Sequence, residues 1–165
     1  MKSFQTSQIQ TPIKVGSGAM VWLEIEWNEQ AIISISFTTR QNVLADDLFP
    51  KAWLEPLELY WTKPLEPLTQ KALVNLPLKL AGTDYQQKVW TALRQIPTGE
   101  SQSYGALSNR LKSSPRAVAS ACRANPTVLV VPCHRVISKS GIGGFMGVTE
   151  GEPIDIKRWL LEHER

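Results

Sequence analysis

The segment SYGALSNRLKSSPRAVASACRANP (residues 103–126) contains two successive signals for the start of a helix. Ser103 can cap one short helix, because a serine side chain accepts a hydrogen bond from a free N–H group of the first turn. Ser114 can cap a second helix that has Pro115 at its first position, where the missing N–H of proline costs nothing. Two short helices separated by the pair KS have the spacing of a helix-turn-helix. A plain helical hairpin is the alternative, and the basic residues of the second helix favour the DNA-binding motif.

Further regular elements are predicted on both sides of this segment. Thr83 and Gln86 fit a capping box, and an apolar stripe follows until Pro97 ends the helix. The apolar run VLVV at residues 128–131 predicts a short buried strand. A final amphipathic helix is marked by Ile156, Trp159, Leu160 and His163.

The first third of the chain has the alternation that is typical of antiparallel strands. Residues 21–27 (VWLEIEW) and 31–37 (AIISISF) place apolar side chains at every second position, which predicts a hairpin. Five prolines between residues 50 and 79 argue against long helices there, so we expect short helices around Asp46–Leu48 and over Pro67–Asn75. The chain as a whole is expected to have a mixed α/β fold of the α+β type.

Composition is ordinary for a globular protein, with 42% hydrophobic and 20% charged residues among 165. The first residues lack the apolar core of a signal peptide, and no apolar run approaches the ~18 residues of a membrane span. We therefore expect a cytoplasmic or nucleoid-associated protein without a membrane partner. Thiols stay reduced there, so Cys122 and Cys133 are expected to be free, with a single bridge between them as the alternative.

Basic residues are concentrated in one part of the chain. Residues 101–149 contain no Asp or Glu, although the net charge of the whole chain is only +3. The cations of this block are Arg110, Lys112, Arg116, Arg123, Arg135 and Lys139. A block of one sign is typical of a surface that binds phosphate, which favours a nucleic acid partner over a basic face without one.

Cys133 and His134 are adjacent in a chain with only two residues of each kind. Zinc binding by Cys122, Cys133, His134 and His163 is disfavoured, because adjacent ligands lack the spacing that lets two side chains converge on one metal. A buried thiol that acts as a small hydrophobic group describes Cys122 better than Cys133. A reactive thiolate at Cys133 is the third interpretation, since neighbouring cations stabilise the anion and a base can take the proton.

The connection between Cys133 and His134 is not settled by their adjacency. Side chains of adjacent residues in an extended chain point to opposite sides, so a bridging water or a turn after Pro132 has to connect sulfur and imidazole. Glu162 and Glu164 of the last predicted helix are both candidates to orient the imidazole.

The stretch VVPCHRVI (residues 130–137) resembles the active-site motif of the O6-alkylguanine-DNA alkyltransferases, also called methylated-DNA–protein-cysteine methyltransferases. Three further segments are similar to the family, in order and at about its spacing: GTDYQQKVWTALRQIPTGESQSYGALS (82–108), PRAVASACRANP (115–126) and IKRWLLEHE (156–164). The resemblance covers about half of the chain. It implies an RNase H-like α/β domain at residues 1–80, followed by a mainly helical, winged-helix or helix-turn-helix-like DNA-binding and catalytic domain at residues 81–165.

The resemblance also implies a monomeric DNA repair protein that reacts once. A flipped O6-alkylguanine, with O4-alkylthymine as a second candidate lesion, would leave double-stranded DNA bound through its minor groove and enter a pocket. Cys133 would take the alkyl group, His134 would act through a water as its base, and Glu164 would polarise the imidazole. Asn125 would hold the helix-turn against the active-site loop, and Tyr104 would donate a proton toward the departing guanine. The thioether product has no easy leaving group, so one chain would repair one lesion.

Residues that contact DNA and the base follow from the same resemblance. Arg116 would fill the gap that the flipped base leaves in the stack. The other expected DNA contacts are Ser103, Ala117, Arg123 and Arg135, and the expected pocket residues are Val136, Gly144, Phe145 and Met146. No cofactor is implied, and because residues 1–82 contain no Cys or His, the N-terminal zinc site of human-type relatives is expected to be absent.

Some positions depart from the family pattern. Phe145 stands where the family usually has Tyr, so its ring can stack but cannot donate a hydrogen bond, and Ala124 replaces a frequent Gly. The link over residues 146–155 is longer than usual, which is expected to change the pocket rim. Catalytically inactive relatives carry Trp in place of the cysteine, so Cys133 indicates activity. A non-catalytic helix-turn-helix lesion sensor is the alternative function; a cysteine hydrolase lacks any evident oxyanion-hole signal.

Overall fold

The computed structural model describes residues 4–16, 18–42 and 48–165, and it divides into two units, Met1–Leu80 and Ala81–Arg165. The first unit contains a small antiparallel sheet with helices, and the second is mainly helical, which confirms the predicted fold class. Across the described ranges, no helix combines the length and the apolar character needed to cross a membrane.

The sheet of the first unit has three strands, β1 (Gln5–Lys14), β2 (Met20–Trp27) and β3 (Ile32–Thr38), in that order. Antiparallel pairing of β2 with β3 confirms the predicted hairpin. Strand β1 was not predicted, because several of its buried side chains are polar and therefore hide the alternation of a half-buried strand. These buried polar residues are Ser7, Gln8 and Thr11.

Helices α1 (Lys51–Thr62) and α2 (Pro67–Val74) follow the sheet. The prediction of α2 is confirmed, whereas the expectation that prolines exclude a long helix is wrong, because α1 has 12 residues. Pro50 precedes α1 and Pro67 begins α2, where no N–H is needed. Of the five prolines between residues 50 and 79, only Pro56 therefore lies in the interior of a helix. Of the short helix predicted around residues 46–48, the first two residues lie outside the described ranges.

The second unit contains the helices α3 (Asp84–Leu93), α4 (Tyr104–Arg110), α5 (Pro115–Arg123) and α6 (Glu152–His163). A short parallel pair joins β4 (Gln102–Ser103) to β5 (Val136–Ile137).

The predicted caps of these helices are confirmed. The Thr83 hydroxyl accepts the Gln86 N–H at 3.2 Å, and the Gln86 side chain accepts the Thr83 N–H at 2.9 Å. Ser103 and Ser114 accept N–H groups of the first turns of α4 and α5 at 3.0 and 3.2 Å. The indole of Trp90 in α3 donates to the carbonyl of Ala121 at 2.9 Å, which ties α3 to α5.

Residues 128–131 are buried but do not form the predicted strand. The Val131 N–H donates back to the Thr127 carbonyl at 2.9 Å, and Leu129 has a φ of 74°, so the chain turns here. A run of four apolar residues indicates burial without specifying the backbone conformation, which explains the error.

Candidate active site

Cys133 begins a 3₁₀ turn, Cys133–Arg135, that follows Pro132. The residue is 5% exposed, and its Sγ lies 3.2 Å from Nδ2 of Asn125, which donates to it. The same Nδ2 donates to the Val131 carbonyl at 2.7 Å, and Oδ1 of Asn125 accepts the Thr127 N–H at 3.0 Å. Asn125 therefore fixes the buried turn and the sulfur together, just after the end of α5.

Burial raises the pKa of the Cys133 thiol, while the hydrogen bond from Asn125 and the charge of Lys157 act to lower it. Burial is the larger effect, because removing water penalises the thiolate more than one neutral donor and one cation stabilise it. The resting group is therefore a thiol, and nucleophilic chemistry at Cys133 needs a base that takes its proton.

His134 is completely buried, and its Nε2 lies 2.9 Å from Oε1 of Glu164. Burial lowers the pKa of His134 more than the neighbouring carboxylate raises it, so the imidazole is neutral at neutral pH. A neutral ring that donates from Nε2 to a carboxylate keeps the lone pair of Nδ1 free to accept a proton. No hydrogen-bond partner of Nδ1 is found within the described part of the chain.

Glu164 caps the C-terminus of α6 and also accepts two hydrogen bonds from the guanidinium of Arg135. Although burial raises the pKa of Glu164, His134 and Arg135 together hold it well below its usual range. The carboxylate is thus charged and buried beside the imidazole. Glu162, the other candidate to orient the imidazole, is exposed and pairs with Arg165 at 2.7 Å.

Arg135 does not fit the DNA-contact role predicted for it. The residue is 6% exposed, and besides Glu164 its guanidinium donates to the Ile96 carbonyl at 2.7 Å and to the Thr98 hydroxyl at 2.9 Å. A buried guanidinium with these partners cannot reach a phosphate. Its physical role is to neutralise and orient the carboxylate that holds His134.

A cavity of about 240 Å³ opens beside Cys133. Its lining consists of Tyr104, Ala119, Cys122, Arg123, Cys133, Gly144, Phe145, Met146, Gly147, Val148 and Thr149. Of the predicted pocket residues, Val136 is fully buried and does not line the cavity, while the other three do. The last four residues of the lining, Met146 to Thr149, belong to the link over residues 146–155 that is longer than usual for the family.

Tyr104 begins α4 and reaches across this cavity. Its hydroxyl donates to the Gly144 carbonyl at 3.4 Å, and burial raises its pKa, so the phenol keeps its proton at neutral pH. Cys122, a second thiol in the lining, has a pKa raised to about 12, mainly by burial, so it is protonated at neutral pH.

The remaining predicted DNA contacts lie along α4 and α5. Arg116, in the first turn of α5, and Arg123, in its last turn, are exposed. Ser103 and Ala117 are half-buried, and their polar groups already take part in the caps of α4 and α5.

The sequence did not identify Lys157 as part of the site. It is fully buried in α6, and its Nζ donates to the carbonyls of Val136 at 2.6 Å and Gly144 at 2.9 Å. The sequence nevertheless indicates its burial, because Lys157 lies three residues from both Ile154 and Leu160 on the buried face of the helix. A lysine in an apolar stripe indicates a buried cation with a specific role.

The two cysteines and two histidines are the candidate ligands for a metal ion. Within residues 4–16, 18–42 and 48–165, no three His, Cys, Asp or Glu side chains come close enough to hold a metal ion together.

Comparison with known proteins identifies the second unit. Residues 84–165 match the family model described as the 6-O-methylguanine DNA methyltransferase, DNA binding domain. A methylated-DNA–protein-cysteine methyltransferase of Sulfolobus acidocaldarius is 32% identical over 139 residues, which are 83% of this chain and 82% of that protein. A probable methylated-DNA–protein-cysteine methyltransferase of Acanthamoeba polyphaga mimivirus is 41% identical over 93 residues, which are 55% of this chain and 59% of the viral protein.

Solved structures extend the similarity to nearly the whole chain. The crystal structure of Mycobacterium tuberculosis OGT in complex with DNA aligns with a TM-score of 0.66 and 29% identity, covering 98% of this chain and 91% of that one. With the family model, the Sulfolobus relative and this structure in agreement, the chain belongs to the methylated-DNA–protein-cysteine methyltransferase family.

Proposed function

We propose that this protein repairs alkylated DNA by transferring the alkyl group of O6-alkylguanine to its own Cys133. The observation that carries the proposal is the series Glu164, His134 and Cys133, a buried carboxylate bonded to a neutral imidazole next to a thiol on the wall of a cavity. We further propose that residues 1–80 and 81–165 act as separate domains, and that the protein works as a monomer on DNA in the cytoplasm or nucleoid.

The proton of Cys133 leaves first. His134 accepts it at Nδ1 through a bridging water, while Nε2–H continues to donate to Glu164. The imidazolium that forms is stabilised by the buried carboxylate, whose charge is secured by Arg135. Asn125 keeps the sulfur in place through its 3.2 Å hydrogen bond.

Transfer is a direct displacement. The Cys133 thiolate forms a bond to the alkyl carbon, the bond from that carbon to O6 breaks, and the electron pair moves onto the guanine. Tyr104 donates its proton to the guanine, which remains in the DNA as the normal base. The Tyr104 phenolate then regains a proton from the His134 imidazolium through water, so the proton that left Cys133 is accounted for. The thioether at Cys133 cannot be hydrolysed by the groups around it, so each chain reacts once.

The base reaches Cys133 by rotating out of the duplex. Extrusion costs a few kcal/mol and is cheapest for a lesion whose pairing is already weakened. Phe145 offers a ring for stacking, and we assign recognition of the base edges to the main chain of Gly144 and Met146, which line the cavity. The similar Mycobacterium tuberculosis protein was crystallised in complex with DNA, which supports a DNA substrate for this chain.

The DNA surface is assigned to the helix-turn-helix. Arg116 and Arg123 at the two ends of α5 are exposed, in a block of the sequence without acidic residues. We propose that Arg116 occupies the space left by the flipped base and that Arg123 contacts the sugar–phosphate backbone. In this arrangement α5 faces the minor groove of the duplex.

Intact mass spectrometry after mixing with O6-methylguanine duplex tests the proposal. We expect a gain of about 14 Da per chain, because a methyl group replaces the thiol proton, with the label on Cys133. Cys133→Ala should gain no mass and still bind DNA, and Cys122→Ala should react normally. Binding of the lesion without any mass change would instead support a non-catalytic sensor.

A further inference from the structure

Lys157 connects two separate parts of the pocket. Its ammonium donates to the Val136 carbonyl, directly after the active-site turn, and to the Gly144 carbonyl, which lies in the lining of the cavity. The phenol of Tyr104 donates to the same Gly144 carbonyl. One side chain of α6 therefore sets the separation between the turn that carries Cys133 and the loop opposite it.

Lys157 also brings a buried positive charge to the active site. No carboxylate forms an ion pair with it across the described residues, so two carbonyl oxygens are its hydrogen-bond acceptors. Burial lowers its pKa to about 8, and interaction with the Cys133 and Cys122 thiols acts in the opposite direction. A buried cation without an anion is costly, and a thiolate would relieve that cost.

The groups facing Lys157 identify which anion it can stabilise. Cys133 and His134 come from the active-site turn, Cys122 from α5, and Tyr104 from the start of α4. The phenol and the Cys122 thiol both have raised pKa values and stay neutral, and the imidazole becomes a cation when it accepts a proton. The pKa of Cys133 is raised as well, but in the proposed reaction its proton passes to His134 before transfer. The Cys133 thiolate is thus the anion that Lys157 can stabilise at that stage.

We propose that Lys157 is a positioning residue for alkyl transfer, which holds the two walls of the base pocket at a fixed separation and stabilises the Cys133 thiolate by its charge. This inference rests on the proposed function and adds a residue to it. Its action is indirect, since the ammonium is bonded to main-chain carbonyls rather than to sulfur.

Replacement of the charge tests the proposal. The rate of transfer from methylated duplex is measured across about pH 6 to 9 for the wild type, Lys157→Met and Lys157→Arg. For Lys157→Met we expect about a tenfold loss at neutral pH, with the rising limb of the profile shifted up by about one pH unit. Lys157→Arg should restore most of the rate, and Arg158→Met, an exposed neighbour on α6, should match the wild type.

Two outcomes would overturn the role of the charge. One is a Lys157→Met variant that reacts like the wild type, and the other is an equal loss at every pH with an unshifted profile, which indicates packing alone. If Lys157→Met does not fold, Lys157→Gln retains two N–H donors without charge and is measured in the same way.

A second probe separates this inference from the proposed function. Iodoacetamide alkylates a thiolate directly, and peptide mass spectrometry reads the product at Cys133 without DNA. If the wild type accepts no alkyl group from DNA, the proposed function fails. The pH dependence of the rate of Cys133 alkylation by iodoacetamide still tests Lys157 in that case. A profile shifted to higher pH in Lys157→Met supports stabilisation of the thiolate, and an unshifted profile rejects it.

Discussion

Arg135 and Glu164 form a buried bidentate ion pair, with Nε to Oε2 and Nη2 to Oε1 both at 2.8 Å. Because Oε1 of the same carboxylate is bonded to His134, the guanidinium controls the charge and orientation of the group that holds the imidazole. Arg135, the residue after the Cys-His pair, therefore supports the His134–Glu164 pair from a buried position.

Arg135→Ala is expected to lower the free energy of unfolding by about 3 kcal/mol, because removal of one partner leaves a buried charge uncompensated. Urea denaturation measures this loss. The control is Arg158→Ala, which breaks an exposed pair with Asp155 and should change stability by less than about 1 kcal/mol. DNA affinity is also measured at several salt concentrations. A folded Arg135→Ala protein whose slope of log affinity against log salt concentration falls by about one would contradict the buried role and indicate a phosphate contact.

Stability is expected to fall as the pH decreases below about 6.5, the unperturbed value of histidine. Burial lowers the pKa of His134 in the folded state, so the unfolded chain binds a proton that the folded chain does not. Glu164 adds a second loss below about pH 4.3, since its folded pKa is also depressed. Thermal denaturation from neutral to acidic pH measures the loss of stability in both pH ranges. His134→Asn should remove the loss that begins below about pH 6.5. An unchanged slope in that variant would assign the acid sensitivity to another group.

Tyr104→Phe is expected to slow alkyl transfer by about 10²–10⁴-fold while changing DNA affinity little, because proton donation matters only as charge develops on the guanine. The loss of the 3.4 Å hydrogen bond to Gly144 is a minor structural change. Single-turnover rates and equilibrium binding to the same duplex measure the two quantities. Equal losses in both would assign Tyr104 a packing role.

Arg116→Ala is expected to be defective on duplex DNA and much less so on free O6-alkylguanine base or single strands. An arginine that occupies the place of the flipped base matters only where a stack has been vacated. A simple phosphate contact would instead weaken binding to all DNA and lower the salt slope by about one. Parallel rate measurements on duplex and free base distinguish these roles. The same factor lost on both substrates would exclude stack filling.

The elements of the second unit were predictable because their signals are local. Thr83, Ser103 and Ser114 each cap a helix by accepting an N–H three residues away, so both partners of the hydrogen bond lie in one short segment of the sequence. The proposed nucleophile could also be predicted from the sequence, because Cys133, His134 and Arg135 are adjacent in the chain. Family membership followed from those short segments.

Contacts between distant residues required the tertiary structure. From the sequence, Arg135 is predicted to be a surface cation. Its burial depends on hydrogen bonds to Glu164, 29 residues away, and to the carbonyl of Ile96, 39 residues away. The choice of Glu164 over Glu162 depends on which face of α6 meets the active-site turn. Lys157 likewise joins the Val136 and Gly144 carbonyls only because the tertiary packing brings both within hydrogen-bond distance of its ammonium group. A hydrogen bond or ion pair between distant residues depends on the packing of whole elements, and sequence spacing does not report that packing.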